Sequence, residues 1–270
     1  MEKKYHLPHA GRLSTITASV LFGYALLPFM RVPAGQVAFP LFGILVAFRL
    51  NFYYVTSIIT ALMVAAGMDW IIGDHPSIKT KPHLPHLILP ALTTAAIGIP
   101  LGLLELSPEW WIILALGSML VVLVMLAEYI SIDNLDSRYP LALMMLSGTS
   151  YSLILIITIA LRAADVRLYL LLVVLPAIFA FFCLRILNFR LGGRWRFEWT
   201  AVVALVAAQV LAALYYWPLS AIRFGLITLG PVYAVTGLAA SMEEKSDIRQ
   251  VFMEPLVVIG TLWLLAVFIR

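Results

Sequence analysis

The sequence predicts an all-α, polytopic integral membrane protein, a bundle of helices that cross the bilayer many times. Hydrophobic residues make up 63% of the 270 residues, charged residues 12%, and the mean hydropathy is +0.99. Soluble chains carry about 25% charged residues. A transmembrane helix needs about 17 to 25 apolar residues. Ten intervals without a charged residue follow one another, most of them this long: 13–30, 32–48, 50–68, 82–104, 111–127, 139–161, 168–184, 199–222, 224–242 and 255–269.

Helices are predicted because the alternating apolar and polar pattern of membrane strands is absent. No polar stretch is long enough to bury a core of its own, so residues 1–270 are predicted to form a single transmembrane domain. The single cysteine, Cys183, lies within an apolar interval and excludes an internal disulfide. The net charge of +4 requires no nucleic-acid partner, because basic loops orient membrane proteins. The expected surroundings are the lipid of the cell membrane, and no cofactor can be named.

The second interval decides the predicted topology. Its core, 36–48, is short and contains Pro40 and Gly43, and runs of about 10–14 apolar residues are more often re-entrant or buried than spanning. If this segment does not cross, 12 of the 18 Lys and Arg residues lie on the side of the N-terminus. If all ten segments cross, only eight do. The positive-inside rule therefore favours nine crossings, one short or broken segment and a cytoplasmic N-terminus; ten crossings is the alternative.

Capping patterns predict where several helices begin. Ser107-Pro108-Glu109 combines a capping serine, a proline at the first helical position and an acid in the first turn. Asp165 is expected to cap the helix that begins near Val166. Ser241 and Glu244 have the spacing of a capping box. Glu254-Pro255 combines an acid with a proline, as at residues 108–109, and is predicted to start the last helix.

One tetrapeptide occurs twice, as residues 6–9 and 83–86, both His-Leu-Pro-His. Two histidine pairs with Asp74 have the ligand types of a tetrahedral metal site. That interpretation requires both loops on one membrane face, as nine crossings predict. The alternative is a pair of proline-stiffened loops at the headgroups, where the proline prevents the i, i+4 pairing of zinc helices. We favour the loops and assign no metal ligand.

Ionisable groups at the edges of the intervals are the first candidates for function, because a charge in hydrocarbon costs about 2.5–3.5 kcal/mol. Glu128 directly follows the fifth interval, late in its apolar segment and roughly 10 Å from the centre of that segment by helical rise. Its carboxylate could titrate, bind a cation or pair with an arginine; alternatively it faces headgroups at a helix end. Arg185 and Arg223 lie near span ends and are expected to extend to the interface.

Uncharged polar groups near interval centres are the second set of candidates. Ser147, Thr149 and Ser150 lie at the centre of residues 139–161, and Gln209 lies near the centre of residues 199–222. Transporter sites combine such groups with broken helices at the midplane. The alternative is helix packing, in which hydroxyls and amides hydrogen-bond across helices. With Glu128, these four residues form the predicted substrate site.

The sequence contains none of the catalytic motifs that mark proteases, hydrolases or phosphate-binding loops, so it favours a protein that is not an enzyme. The first functional hypothesis is a small transporter or flippase for a hydrophobic or lipid-like solute. The second is a membrane enzyme that acts on lipid or polyprenyl headgroups through Asp133, Asp136, Glu128 and the basic residues 190–196. The third is a non-catalytic subunit or scaffold of a membrane complex. Catalytic residues remain unassigned.

Overall fold

The computed structural model describes residues 8–30, 35–41, 44–50, 52–75, 83–133, 135–244 and 248–269. Within these ranges the chain forms nine α-helices and one β-hairpin. The helices are α1 (Ala10–Ala25), α2 (Phe52–Ile72), α3 (Leu84–Leu103), α4 (Pro108–Ser131), α5 (Tyr139–Ala163), α6 (Leu168–Arg190), α7 (Phe197–Tyr215), α8 (Ala221–Glu244) and α9 (Ile248–Phe268). The strands are β1 (Gly35–Leu41) and β2 (Ile44–Leu50). The predicted polytopic helix bundle is thereby confirmed.

Eight of the described helices, α1 to α8, are long and apolar enough to cross a membrane by length and composition. In α9 the apolar stretch is shorter and covers Phe252–Phe268. Five prolines lie inside these helices: Pro90, Pro100, Pro176, Pro231 and Pro255. Membrane helices tolerate proline because neighbouring groups satisfy the freed carbonyls.

The short segment 36–48 forms the antiparallel hairpin β1–β2 in place of a helix. Gly35 pairs with Leu50 and Leu41 with Ile44, so the chain leaves the hairpin beside the point where it entered. Both strands of a two-stranded sheet are edges, which accommodates Pro40, a residue that has no N–H to donate. Each strand has seven residues, fewer than the 9–11 that a spanning strand needs. The hairpin therefore returns the chain to the end of the bundle from which α1 delivered it.

The chain divides into two compact units, Met1–Ala142 and Leu143–Arg270. In the first unit α1 packs on α2, α2 on α3, α3 on α4 and α4 on α1, so the four helices close into a ring. The buried side chains of this ring form one hydrophobic core: Ile16, Val20, Tyr24, Leu27, Val64, Met68, Ile71, Ile72, Ile97, Leu101, Trp110, Leu114, Val121, Met125, Tyr129 and Ile132. Trp110 donates its indole N–H to the carbonyl of Leu101 at 3.0 Å, which ties α4 to the end of α3.

In the second unit α6, α7, α8 and α9 pack in sequence, with α6 also against α8. Contacts between helix ends show that neighbours are antiparallel. Arg196, before α7, pairs with Glu243 at the end of α8 at 2.6 Å. Tyr215, at the end of α7, donates to the carbonyl of Val166 before α6 at 3.2 Å. Arg223 near the start of α8 donates to the carbonyl of Ile269 after α9 at 2.7 Å.

The capping predictions had mixed outcomes. Ser107 caps α4 as predicted, with its hydroxyl 3.4 Å from the backbone N–H of Trp110. Asp165 does not cap α6; it adopts a φ of 49° after the end of α5, a left-handed conformation that aspartate tolerates. Ser241 and Glu244 lie in the last turn of α8, and Pro255 lies inside α9. Those last two start signals were wrong: α8 runs through Ser241 and ends at Glu244, and α9 begins at Ile248, before Glu254 and Pro255.

Among the glycines of the first unit that the structure describes, Gly98 of α3 leaves the least room for a side chain. A Cβ built there would lie 2.8 Å from the Cβ of Ser57 on α2 and 3.1 Å from the hydroxyl of Tyr24 on α1. Tyr24 donates that hydroxyl to the carbonyl of Thr94 at 2.6 Å, one turn before Gly98. A glycine is thus required where three helices meet.

We predict that Gly98→Ala lowers the free energy of unfolding by about 1–3 kcal/mol, because the added methyl group overlaps Ser57. The matched control is Gly148→Ala on α5, where nothing lies within 4 Å of the added carbon; it should be neutral or slightly stabilising. Thermal unfolding in detergent compares the two variants. Equal midpoints would contradict the tight packing of α3 on α2.

A buried carboxylate and its histidine

Glu128 points into the core of the first unit. Its side chain is 0% exposed. On α4 it continues a line of buried residues spaced alternately four and three apart: Leu114, Ser118, Val121, Met125, Glu128 and Ile132. That spacing keeps one face of a helix toward its neighbours. The alternative, that Glu128 faces headgroups at a helix end, does not fit this burial, because the carboxylate shares its face with core residues.

The carboxylate pairs with His86 of α3. The Nδ1 atom of His86 lies 2.8 Å from Oε2 of Glu128, and the imidazole is 12% exposed. Ser131, one turn along α4, donates its hydroxyl to the backbone carbonyl of Glu128 at 2.8 Å and lies 3.4 Å from Oε2. The same hydroxyl lies 3.5 Å from Nδ1 of His86. A proton between the two groups can sit on either: the imidazole N–H donates to a carboxylate, or a carboxyl O–H donates to the imidazole.

His86 reaches this position because the second His-Leu-Pro-His sequence starts a helix. Leu84 and Pro85 occupy the first turn of α3, where proline's fixed φ suits a helix and its missing N–H has no partner to lose. His83 and His86 are three residues apart, so both lie on one face of α3. The second repeat is therefore a helix start and not the headgroup loop that we favoured over a metal site, because its last three residues lie in the first turn of α3.

A ring of polar contacts lies at the same end of the first unit. His83 pairs with Asp69 near the end of α2 at 2.6 Å, and both side chains are partly exposed. Arg12 at the start of α1 pairs with Asp74 at 2.7 Å. It also donates to the carbonyl of Trp70 at 2.6 Å and lies over that indole ring, 4.6 Å from its centroid. Polar groups from α1, α2, α3 and α4 thus meet at one end of the bundle.

These partners bear on the metal hypothesis. His83, His86 and Asp74, three of its proposed ligands, are paired with other side chains. Within the residues that the structure describes, no group of three or more His, Cys, Asp or Glu side chains is placed to hold a metal ion. His6 of the first repeat lies outside the described residues, and His9 precedes α1 with an exposed side chain.

The remaining predicted site residues lie in the second unit. Thr149 and Ser150 donate their hydroxyls to the carbonyls of Met145 and Leu146, one turn back on α5, at 2.8 Å each. Ser150 is buried, and Ser147 is half-buried. Gln209 of α7 has an exposed side chain. Own-helix hydrogen bonds are what the packing interpretation expects of hydroxyls, and a role for these four residues in substrate binding stays a prediction.

Comparison with known families assigns the chain to one of them. A family model described as "Protein of unknown function (DUF5656)" matches residues 32–269. The chain belongs to this family. The match extends over both compact units and includes His86, Glu128 and Ser131. No curated protein and no solved structure matches the chain.

Two features of this DUF5656 member were missed from the sequence. His86 was considered only as a metal ligand, and its pairing with a residue 42 positions away has no local signal. Arg185 was expected to extend to the interface, which is wrong: it is 2% exposed. Its Nη1 donates to the side-chain oxygen of Asn188 at 2.9 Å, and its guanidinium lies 3.9 Å from the ring centroid of Phe189. Asn188 and Phe189, one turn along α6, thus contact the buried guanidinium of Arg185.

We predict that His86→Leu destabilises the protein by about 3–5 kcal/mol, because it removes the histidine partner of a buried carboxylate. The double variant His86→Leu/Glu128→Leu should be more stable than the single variant, since no charge then remains to be buried. The control is His83→Leu, which removes a partly exposed pair and should cost less than about 1 kcal/mol. Unfolding midpoints in detergent test all three. A double variant that is no more stable than His86→Leu would contradict the coupling.

Proposed function

We propose that this protein is a membrane transporter or flippase for a hydrophobic or lipid-like solute, and that the His86–Glu128 pair is its working polar site. One observation carries the proposal: a fully buried carboxylate faces a histidine inside a helical membrane bundle. Ionisable groups within membrane helices mark proton relays and substrate pathways more often than they serve packing.

The energetics support a functional role for the pair. A buried ion pair commonly contributes less stability than apolar side chains of similar volume. Leucine and methionine already fill the neighbouring positions of the same α4 face, at Leu114 and Met125. A carboxylate in this line costs stability that an apolar residue would not. Its presence is therefore better explained by chemistry than by packing.

The arrangement suits proton movement. Asp69 and His83 are partly exposed at the end of the bundle, whereas His86 and Glu128 lie deeper. His83 and His86 share one face of α3, so four titratable groups form a sequence from the solvent-exposed end to the buried carboxylate. Chains of Asp, Glu and His serve as proton relays in transporters. We therefore expect protonation of Glu128 to accompany movement of the solute.

An apolar groove supports the choice of solute. It lies between α1 and α4, has a volume of about 420 Å³, and is lined by Ala18, Leu21, Phe22, Ala25, Trp111, Leu114 and Ala115. Ligand sites in proteins have volumes of about 300–1,000 Å³. The lining carries no charge, and the helices that form it have the length and composition of membrane spans. The occupant that this chemistry fits is the hydrocarbon chain of a lipid.

The enzyme hypothesis has less support. Asp133 accepts a hydrogen bond from the backbone N–H of Leu135 at 3.0 Å. Asp136 accepts from the backbone and guanidinium of Arg138 at 2.8–3.1 Å. Both acids therefore have a structural explanation, since their hydrogen bonds organise the loop between α4 and α5.

The test is reconstitution into phosphatidylcholine–phosphatidylglycerol vesicles that contain a trace of fluorescent phospholipid and an internal pH dye. We predict that the wild-type protein accelerates lipid movement between leaflets, measured by dithionite quenching, together with proton entry. Glu128→Gln should reduce both to the level of protein-free vesicles, because the amide cannot exchange a proton. Glu105→Gln, which alters an exposed acid in the loop before α4, should retain wild-type rates.

Two results would overturn the proposal. Full activity in Glu128→Gln would remove the carboxylate from the mechanism. Absence of lipid movement with the wild-type protein would exclude phospholipid transport and favour the third hypothesis, a subunit of a membrane complex. Unfolding midpoints of each variant in detergent separate loss of function from loss of folding.

A further inference from the structure

Gln209 lies on the outer surface of α7. It is three residues from the middle of the helix, within about 5 Å by helical rise, and its side chain is exposed. Within the part of the chain that the structure describes, its amide makes no side-chain hydrogen bond. Helix α7 has the length and hydropathy of a membrane span, so this amide faces the depth at which water is absent.

Hydroxyl groups at similar depth do not need a hydrogen-bond partner on another helix. Thr149 on α5 and the exposed Thr261 on α9 each donate to the carbonyl four residues earlier in their own helix, at 2.8 Å. A glutamine amide has two donors and one strong acceptor, and its own helix does not satisfy them here. In lipid such a group finds its partner on another helix.

The surface around Gln209 permits close approach of a helix. Exposed residues continue its face at intervals of three or four, namely Ala201, Leu205, Ala212 and Tyr216. Ala212, one turn after the amide, is a small side chain that allows two helix backbones to come near each other, as membrane helix pairs require. No charged residue occurs between positions 199 and 222, so identical faces would not repel each other.

We propose that α7 packs against α7 of a second copy of this chain, with the two Gln209 amides hydrogen-bonded to each other across a twofold axis. A second copy fits because an amide is self-complementary: its N–H donates to the oxygen of an identical amide while its oxygen accepts in return. In a twofold interface a residue near the axis meets itself. The inference is independent of the transport proposal, since it depends on a different helix and a different unit.

Energy transfer between donor- and acceptor-labelled copies in vesicles, at increasing lipid dilution, measures the association. Gln209→Leu should weaken the dimer roughly three- to twentyfold, the range expected for hydrogen bonds between membrane helices. Thr261→Val is the matched control, because it removes an exposed hydroxyl that its own helix satisfies. It should associate like the wild-type protein.

Cysteine cross-linking locates the contact. In a Cys183→Ala background, Gln209→Cys should form a disulfide-linked dimer under mild oxidation, because the paired Cα atoms near the axis would lie within about 7 Å. Thr261→Cys on α9 should not. Unchanged association of Gln209→Leu, or monomeric wild-type protein at every dilution, would overturn the proposal. So would cross-linking of Gln209→Cys to a different protein in place of its own copy.

Discussion

The fold depends on one constraint: within the hydrocarbon layer, polar groups must find their partners in protein. Backbone groups do so by forming helices, and hydroxyls do so by donating to the carbonyl one turn back, as in Thr60, Thr93, Thr94, Thr158, Thr228 and Thr236. Such hydroxyls need no other helix and carry little information about tertiary structure. Groups that cannot be satisfied locally must bond between helices, and these bonds determine how the helices are arranged.

Three such contacts organise the first unit. Tyr24 of α1 donates to a carbonyl of α3, Trp110 of α4 donates to the last turn of α3, and His86 of α3 faces Glu128 of α4. Each joins α3 to a neighbour, at different heights along it. An interhelical hydrogen bond in lipid contributes about 0.6 kcal/mol on average. These contacts fix the positions of the helices along one another, which apolar surfaces alone specify weakly. Gly98 fixes the separation of α2 and α3.

The sequence predicts the helices well and their partners poorly. Charge-free intervals locate the spans because hydrocarbon excludes charge. The segment 36–48 does not form a spanning helix, as its short apolar run predicts. Local start signals fail at Ser241 and Glu254-Pro255, because a capping pattern is a weak local preference that also occurs inside helices. The pairing of His86 with Glu128 cannot be predicted, since helices apolar on every side do not reveal which face points inward. The alternating spacing from Leu114 to Ile132 is a signal only after that face is known.

A polar residue in an apolar segment therefore has three different physical outcomes in this chain. Thr149 is satisfied by its own helix, Glu128 by a neighbouring helix, and Gln209 by neither. The buried carboxylate beside a histidine is the pair that we propose as the transport site. An exposed amide has no titratable proton at ordinary pH, so chemistry is a poor explanation for it and association is a better one. The face on which each group lies, more than its depth, is therefore the basis for proposing activity at the inward-facing Glu128 and assembly at the outward-facing Gln209.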